Sequence, residues 1–230
     1  TVPEEVIMYR TMIDLIKPKL VFLDLPLFMA LLSDLFPGVE LPQNDGGALR
    51  ETIVNELKAH NLQPVPEFIT KIIQVYDCKV ARHGNMIVGK TGAGKSEAWK
   101  CLQRTLGKLH AQFPKEEHYA KVHVHTINPL ALSNDEMYGC FDAATHEWQD
   151  GILARLMRNV CKDESLDQKW ILFDGPVDTL WIESMNTLLD DNKLLTLLSG
   201  ERISMVQQVS VLFEVEDLSQ ASPATVSRAG

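Results

Sequence analysis

Asn85-Met86-Ile87-Val88-Gly89-Lys90-Thr91-Gly92-Ala93-Gly94-Lys95-Ser96-Glu97-Ala98-Trp99-Lys100-Cys101-Leu102 reads as strand, loop and helix in succession. Residues 89–96 form a complete Walker A sequence. Gly89, Gly92 and Gly94 permit the tight turns and close backbone approach that wrap a phosphate. The loop feeds a helix, so free N–H groups and the positive end of the helix dipole face the anion. Lys95 reaches the β- and γ-phosphates, and the Ser96 hydroxyl is placed to ligate Mg²⁺. Lys90, Thr91 and Ala93 complete the loop at its variable positions. The expected cofactors are ATP, or ADP, and Mg²⁺.

The acid that completes such a site sits further along. Trp170-Ile171-Leu172-Phe173-Asp174 is an apolar strand ending in a carboxylate, the pattern of a Walker B strand. Ligands of parallel sheets bind at the carboxyl ends of the strands, which places Asp174 beside the Mg²⁺. Asp174 is also compatible with capping a helix before Pro176. The next residue, Gly175, has no side chain to orient an attacking water. Its effect should fall on turnover far more than on binding. Asp178 could substitute for the absent acid, or be a first-turn helix residue.

The remaining pattern alternates helices and strands. Apolar residues at helical spacing cover residues 4–17 up to Lys17-Pro18. A second helix opens after Asp24-Leu25-Pro26, covers 27–36 and stops at Pro37-Gly38. Residues 42–47 read as a linker. Helices are expected over 48–60 and 68–81. Residues 121–127 alternate as a strand, with His123 and His125 on one face. Two histidines without a third ligand read as ordinary strand residues. Residues 134–158 hold two helical pieces around an insertion at 139–148; residues 194–210 suggest a hairpin around Ser199-Gly200. Residues 211–215 form a further strand. The whole predicts an α/β fold with a parallel sheet between helices, preceded by a short all-helical segment.

Bulk properties narrow the partners. The net charge of −9 over 230 residues argues against a nucleic-acid surface. The most apolar stretch, Leu20 to Leu32, is interrupted by Asp24 and Pro26 and is too short to span a bilayer, so no membrane is expected. No signal peptide is evident. Cys78, Cys101, Cys140 and Cys161 form no C-x-x-C pair and read as reduced thiols of a cytosolic protein.

Several runs resemble dynein heavy chain: Phe173 to Asn186, Leu189-Asp190-Asp191-Asn192-Lys193, Ser199-Gly200-Glu201-Arg202, Leu212-Phe213-Glu214-Val215 and Ala221 to Arg228. The closer resemblance is to the second of the six AAA+ modules in the motor ring. Phe141-Asp142, Thr145 to Trp148 and Asp150-Gly151-Ile152 are similar to axonemal forms. Residues 1–44 then resemble the end of the preceding module's small subdomain, and 45–230 an AAA+ large subdomain. The resemblance implies a fragment that lacks its own small subdomain after Gly230. It implies a regulatory module that binds Mg-ATP with little or no hydrolysis. Arg228 falls where the family carries an arginine finger directed into the neighbouring main ATPase; read without the family it is a solvated loop arginine. Asp217 falls near the sensor-one position, where its charge would disfavour a γ-phosphate. The two hairpin regions match inserts that face the motor's linker. Implied partners are neighbouring AAA+ modules, the linker, the microtubule, and dynein intermediate and light chains. The implied location is the cytoplasm and cytoskeleton, in a cilium or flagellum axoneme. The alternatives are an independently active P-loop ATPase and a structural ring segment with no nucleotide.

Overall fold

The computed structural model describes residues 3–16, 20, 23–39, 47–116 and 118–228. Two helices, α1 (Glu4–Ile16) and α2 (Leu25–Leu35), come first. Tyr9 of α1 and Phe36 after α2 meet edge to face at 5.5 Å. The expected stop at Lys17-Pro18 and the linker at 42–46 lie outside the described residues, as does the 44/45 boundary.

Helices α3 (Gly47–Ala59) and α4 (Pro66–Ala81) precede strand β1 (Gly84–Val88) and the long helix α5 (Lys95–Gln112). Strand β2 (Val122–Ile127) follows, then α6 (Asn134–Tyr138). Ser133 and Glu136 close α6 with a reciprocal capping box. The predicted insertion is an antiparallel hairpin of β3 (Gly139–Phe141) and β4 (Trp148–Asp150). It leads into α7 (Ile152–Lys162). Its neck is tight: a Cβ on Gly151 would lie 2.3 Å from the Met137 carbonyl oxygen. Strand β5 (Gln168–Asp174) is followed by the short helices α8 (Thr179–Ile182) and α9 (Asn186–Leu189). A second hairpin, β6 (Leu194–Thr196) with β7 (Arg202–Ser204), turns at the predicted Ser199-Gly200. Strand β8 (Val209–Val215) and helix α10 (Pro223–Arg228) end the described chain.

β1, β8, β5 and β2 pair in that order, all parallel, so the strand latest in the chain lies between the first and the fifth. Alternation along the strands loads both faces. Trp170, Leu172 and Leu212 face α3, α4 and α5. Ile171, Phe173, Val211, Phe213 and Val215 face α6 to α9. Two buried layers on one parallel sheet agree with the predicted α/β class.

Three expectations change in detail. Asp174 caps no helix: α8 begins at Thr179, and the Asp178 carboxylate accepts from the Leu180 N–H as its N-cap. Asp178 is therefore employed by the backbone rather than free to orient water. His123 pairs with Asp167 at 2.8 Å, and no metal-binding group of His, Cys, Asp or Glu is found among the described residues. The four cysteines are free, as expected.

The densest part of the core is a stack in which the Phe173 ring lies 5.2 Å from Phe213 and 5.4 Å from Trp181. Phe173 is wholly buried. Phe173→Ala is expected to cost about 3–5 kcal/mol, because it removes the ring and leaves a cavity between sheet and helix. Urea denaturation followed by circular dichroism checks this.

Candidate nucleotide site

The Walker A loop has the backbone that its glycines allow. Gly92 and Gly94 both sit at φ +85, the left-handed region that side chains disfavour. A Cβ on Gly94 would also press on Phe68 of α4, at 3.0 Å. Ala93 N–H donates to the Lys90 carbonyl, and Ala98 N–H to that of Gly94, where α5 begins. Gly94 caps α5 without a side-chain bond. Among the described residues no backbone carbonyl accepts from the N–H groups of Lys95, Ser96 or Glu97. These three donors, at the positive end of an 18-residue helix, form a cradle for an anion.

Lys95 Nζ donates to the carbonyls of Gly89 at 2.7 Å and Lys90 at 3.2 Å. The ammonium therefore folds over the mouth of the loop, where a phosphate would take it over. Asp174 stands exposed at the carboxyl end of β5 and makes no hydrogen bond or ion pair among the described residues. Open donors, a lysine held over them and an uncommitted carboxylate fit a phosphate with its divalent cation. Ser96 and Asp174 would hold the cation, which would screen the phosphate charge when bound.

Both halves of the site hang on β8. Gly89 N–H donates to the Val215 carbonyl at 3.1 Å, and Gly175 N–H to the Glu214 carbonyl at 3.3 Å. The Walker A entrance and the Walker B exit are thus fixed on either side of one strand. The Glu214 side chain adds a contact that the reading of the sequence missed. It accepts from Ser96 Oγ at 2.5 Å and from Trp99 Nε1 at 2.9 Å. The signal was present: a lone acid in the apolar run Val211 to Val215.

The other candidate residues are placed less directly. Asp217 lies exposed beyond β8, and its carboxylate is taken up by its own turn. It accepts from Ser219 Oγ at 2.5 Å and Ser219 N–H at 2.9 Å. Those two bonds, the hydroxyl's first, hold its carboxyl below the usual range. Arg228 lies at the far edge of the sheet. Its carbonyl accepts from Arg82, two residues before β1, whereas the Walker A loop follows β1. The five residues of β1, about 17 Å of strand, separate the two. Arg228 Nε donates to Asp190 Oδ1, and Nη1 to the Ala224 carbonyl at 2.9 Å. Asp190 had no role in the sequence reading beyond the run that contains it.

A four-stranded parallel sheet with a phosphate loop after β1 and an acid ending β5 defines an AAA-type nucleotide-binding domain. The comparisons agree. The family described as "AAA domain (dynein-related subfamily)" matches residues 84–229. "Hydrolytic ATP binding site of dynein motor region" matches residues 1–96. The chain belongs to the dynein-related AAA family.

It is 81% identical over 227 residues to "Dynein-1-beta heavy chain, flagellar inner arm I1 complex" of Chlamydomonas reinhardtii, covering 99% of this chain and 5% of that protein. It is 52% identical over 227 residues to "Dynein axonemal heavy chain 2" of Homo sapiens, covering 99% of this chain and 5% of that one. A third relative, "Dynein axonemal heavy chain 3" of Mus musculus, is 50% identical over 99% of this chain and 6% of that protein. The chain thus spans only 5–6% of the length of these relatives.

Lys95→Ala is expected to weaken Mg-nucleotide binding by roughly 10–100-fold, the loss of a charged hydrogen bond to phosphate. Lys90→Ala should change it much less. Titration calorimetry on the two variants and the parent protein checks the ordering.

Proposed function

We propose that this chain is the second AAA+ module of an axonemal dynein heavy chain, preceded over residues 1–44 by the end of the first module. In this reading it binds Mg-ATP as a regulatory ligand, hydrolyses it little or not at all, and supplies Arg228 to the neighbouring main ATPase. The whole motor would act on the microtubule of a cilium or flagellum, with its intermediate and light chains and its linker. The relatives' names, flagellar and axonemal, support the location.

Gly175 carries the reading. The phosphate half of the site is complete, yet the position after Asp174 has no side chain. A Cβ there would lie 3.1 Å from Pro129 Cδ and 3.5 Å from Asn128 Oδ1. Pro129 is buried and Asn128 caps the short turn that holds it, accepting from the Leu130 N–H at 3.0 Å. The space for a water-orienting acid is closed as well as vacant. Phosphoryl transfer depends on positioning the nucleophile, so such a site retains nucleotide better than it turns it over.

The placement of Arg228 supports action on a neighbour. It stands away from its own Walker A loop, gripped by Asp190, and its Nη2 donates to no described residue. A planar guanidinium held through Nε keeps its outer edge open for phosphate oxygens. Asp217, near the sensor-one position, would add a negative charge beside the site and further disfavour a γ-phosphate.

Two measurements test the reading. The parent protein is expected to hydrolyse ATP well below about 1 s⁻¹, at the low end of enzyme turnover; faster turnover would favour an independently active ATPase. Failure to retain any nucleotide would favour a structural ring segment. In an intact heavy chain, Arg228→Ala is expected to lower microtubule-stimulated turnover by about 10³-fold or more, as loss of an arginine finger does. Nucleotide affinity at the Lys95 site should be nearly unchanged, and Arg228→Lys should rescue only in part. Intact turnover in Arg228→Ala would return Arg228 to the role of a surface residue.

A further inference from the structure

Strand β8 carries one charged side chain, Glu214, and it is 9% exposed. Strand alternation puts it with Leu212 on the α5 face. Its two donors, Ser96 and Trp99, are three residues apart and so share one face of the first turn of α5. Its in-register partner on β5 is Asp174, which shares that face. Parallel strands stand about 4.8 Å apart, so two carboxylates flank the Ser96 hydroxyl.

The charge of Glu214 is what requires an account. Among the described residues no Lys, Arg or His forms an ion pair with it; its partners are a hydroxyl and an indole N–H. A buried carboxylate answered only by neutral donors is costly. Glutamine has the same shape and could accept from either donor without that cost. The position therefore favours a negative charge, and what lies beside it is the hydroxyl assigned to the cation. Any cation that Ser96 ligates comes within outer-sphere reach of Glu214.

We propose, resting on the reading of this site as one for a magnesium nucleotide, that Glu214 is a second acidic group of its cation half. It holds the Ser96 hydroxyl in the ligand-free protein and yields it to the entering cation, whose charge it then faces. Nucleotide consequently binds only together with its divalent metal. Without the metal, the phosphates meet two carboxylates, which Lys95 and the end of α5 do not offset. Trp99 remains bonded to the same carboxylate, so its indole reports the exchange.

The test is ATP affinity by calorimetry with Mg²⁺ and with EDTA, on the parent protein, Glu214→Gln and Glu214→Asp. The parent should lose about 100-fold or more on chelation, and Glu214→Gln about tenfold less, because its metal-free affinity rises. Glu214→Asp keeps the charge and should keep most of the metal dependence. Trp99 emission, identified by its loss in Trp99→Phe, should shift on Mg-ATP addition in the parent. Equal metal dependence in Glu214→Gln and parent would overturn the role of Glu214 while leaving the nucleotide site intact. Loss of metal dependence in Glu214→Asp would overturn it too, and decides the matter if Glu214→Gln does not fold. A parent that binds no Mg-ATP at all would overturn both the proposal and the reading beneath it.

Discussion

The parallel pairing of β8 with β1 on one side and β5 on the other is the constraint on which the site depends. Every feature of the phosphate and cation region is referred to that strand: Gly89 and Gly175 both donate to its last carbonyls. Parallel neighbours are far apart in sequence, and here 121 residues separate the end of β1 from the start of β8. Closing such a loop costs entropy before any contact rewards it. The reward comes from burial on both faces of β8, whose seven residues are all buried. The two halves of the site are thus brought together by the core, through the stack of Phe173, Phe213 and Trp181, rather than by their own affinity.

Much of this was legible in the residues. The Walker A spacing carries its own backbone requirement, and the structure has Gly92 and Gly94 in the left-handed region it demands. The apolar run ending at Asp174 marked a central strand because only a strand buried on both faces tolerates such continuity. Both hairpins were readable from interrupted helical periodicity and from Ser199-Gly200. What local pattern cannot express is lateral order. Nothing near Val209 to Val215 says that it lies between β1 and β5, so Glu214 looked like part of a family run rather than a neighbour of Ser96. The pairing of Arg228 with Asp190 spans 38 positions and depends on α9 and α10 packing together. Asp217 was legible as an acid near the end of a strand, but Ser219 two residues on, which occupies it, was given no weight.

The closed space at Gly175 has a bearing on what the site can become. An acid cannot simply be restored there, because Pro129 and the turn capped by Asn128 occupy the direction its side chain would take. The turn is held in place by the same layer that buries Ile127 and Val177. Quietness of this kind is distributed over several elements, and a single substitution would have to displace a proline to reverse it.

Arg158 gives the two hairpins a mechanical relation. It donates to both carboxylate oxygens of Asp150, at the base of β4, and to both of Glu201, beside β7. One planar group with fixed bond directions therefore ties two protrusions that the chain separates by a helix and a strand. Displacement of either beyond the reach of a hydrogen bond must break one fork or carry the other hairpin along. The tie is partly exposed, so it is stiff over short distances and weak against sustained load, and salt will soften it. It acts as a shear pin: the hairpins move as one body under small forces and part under large ones.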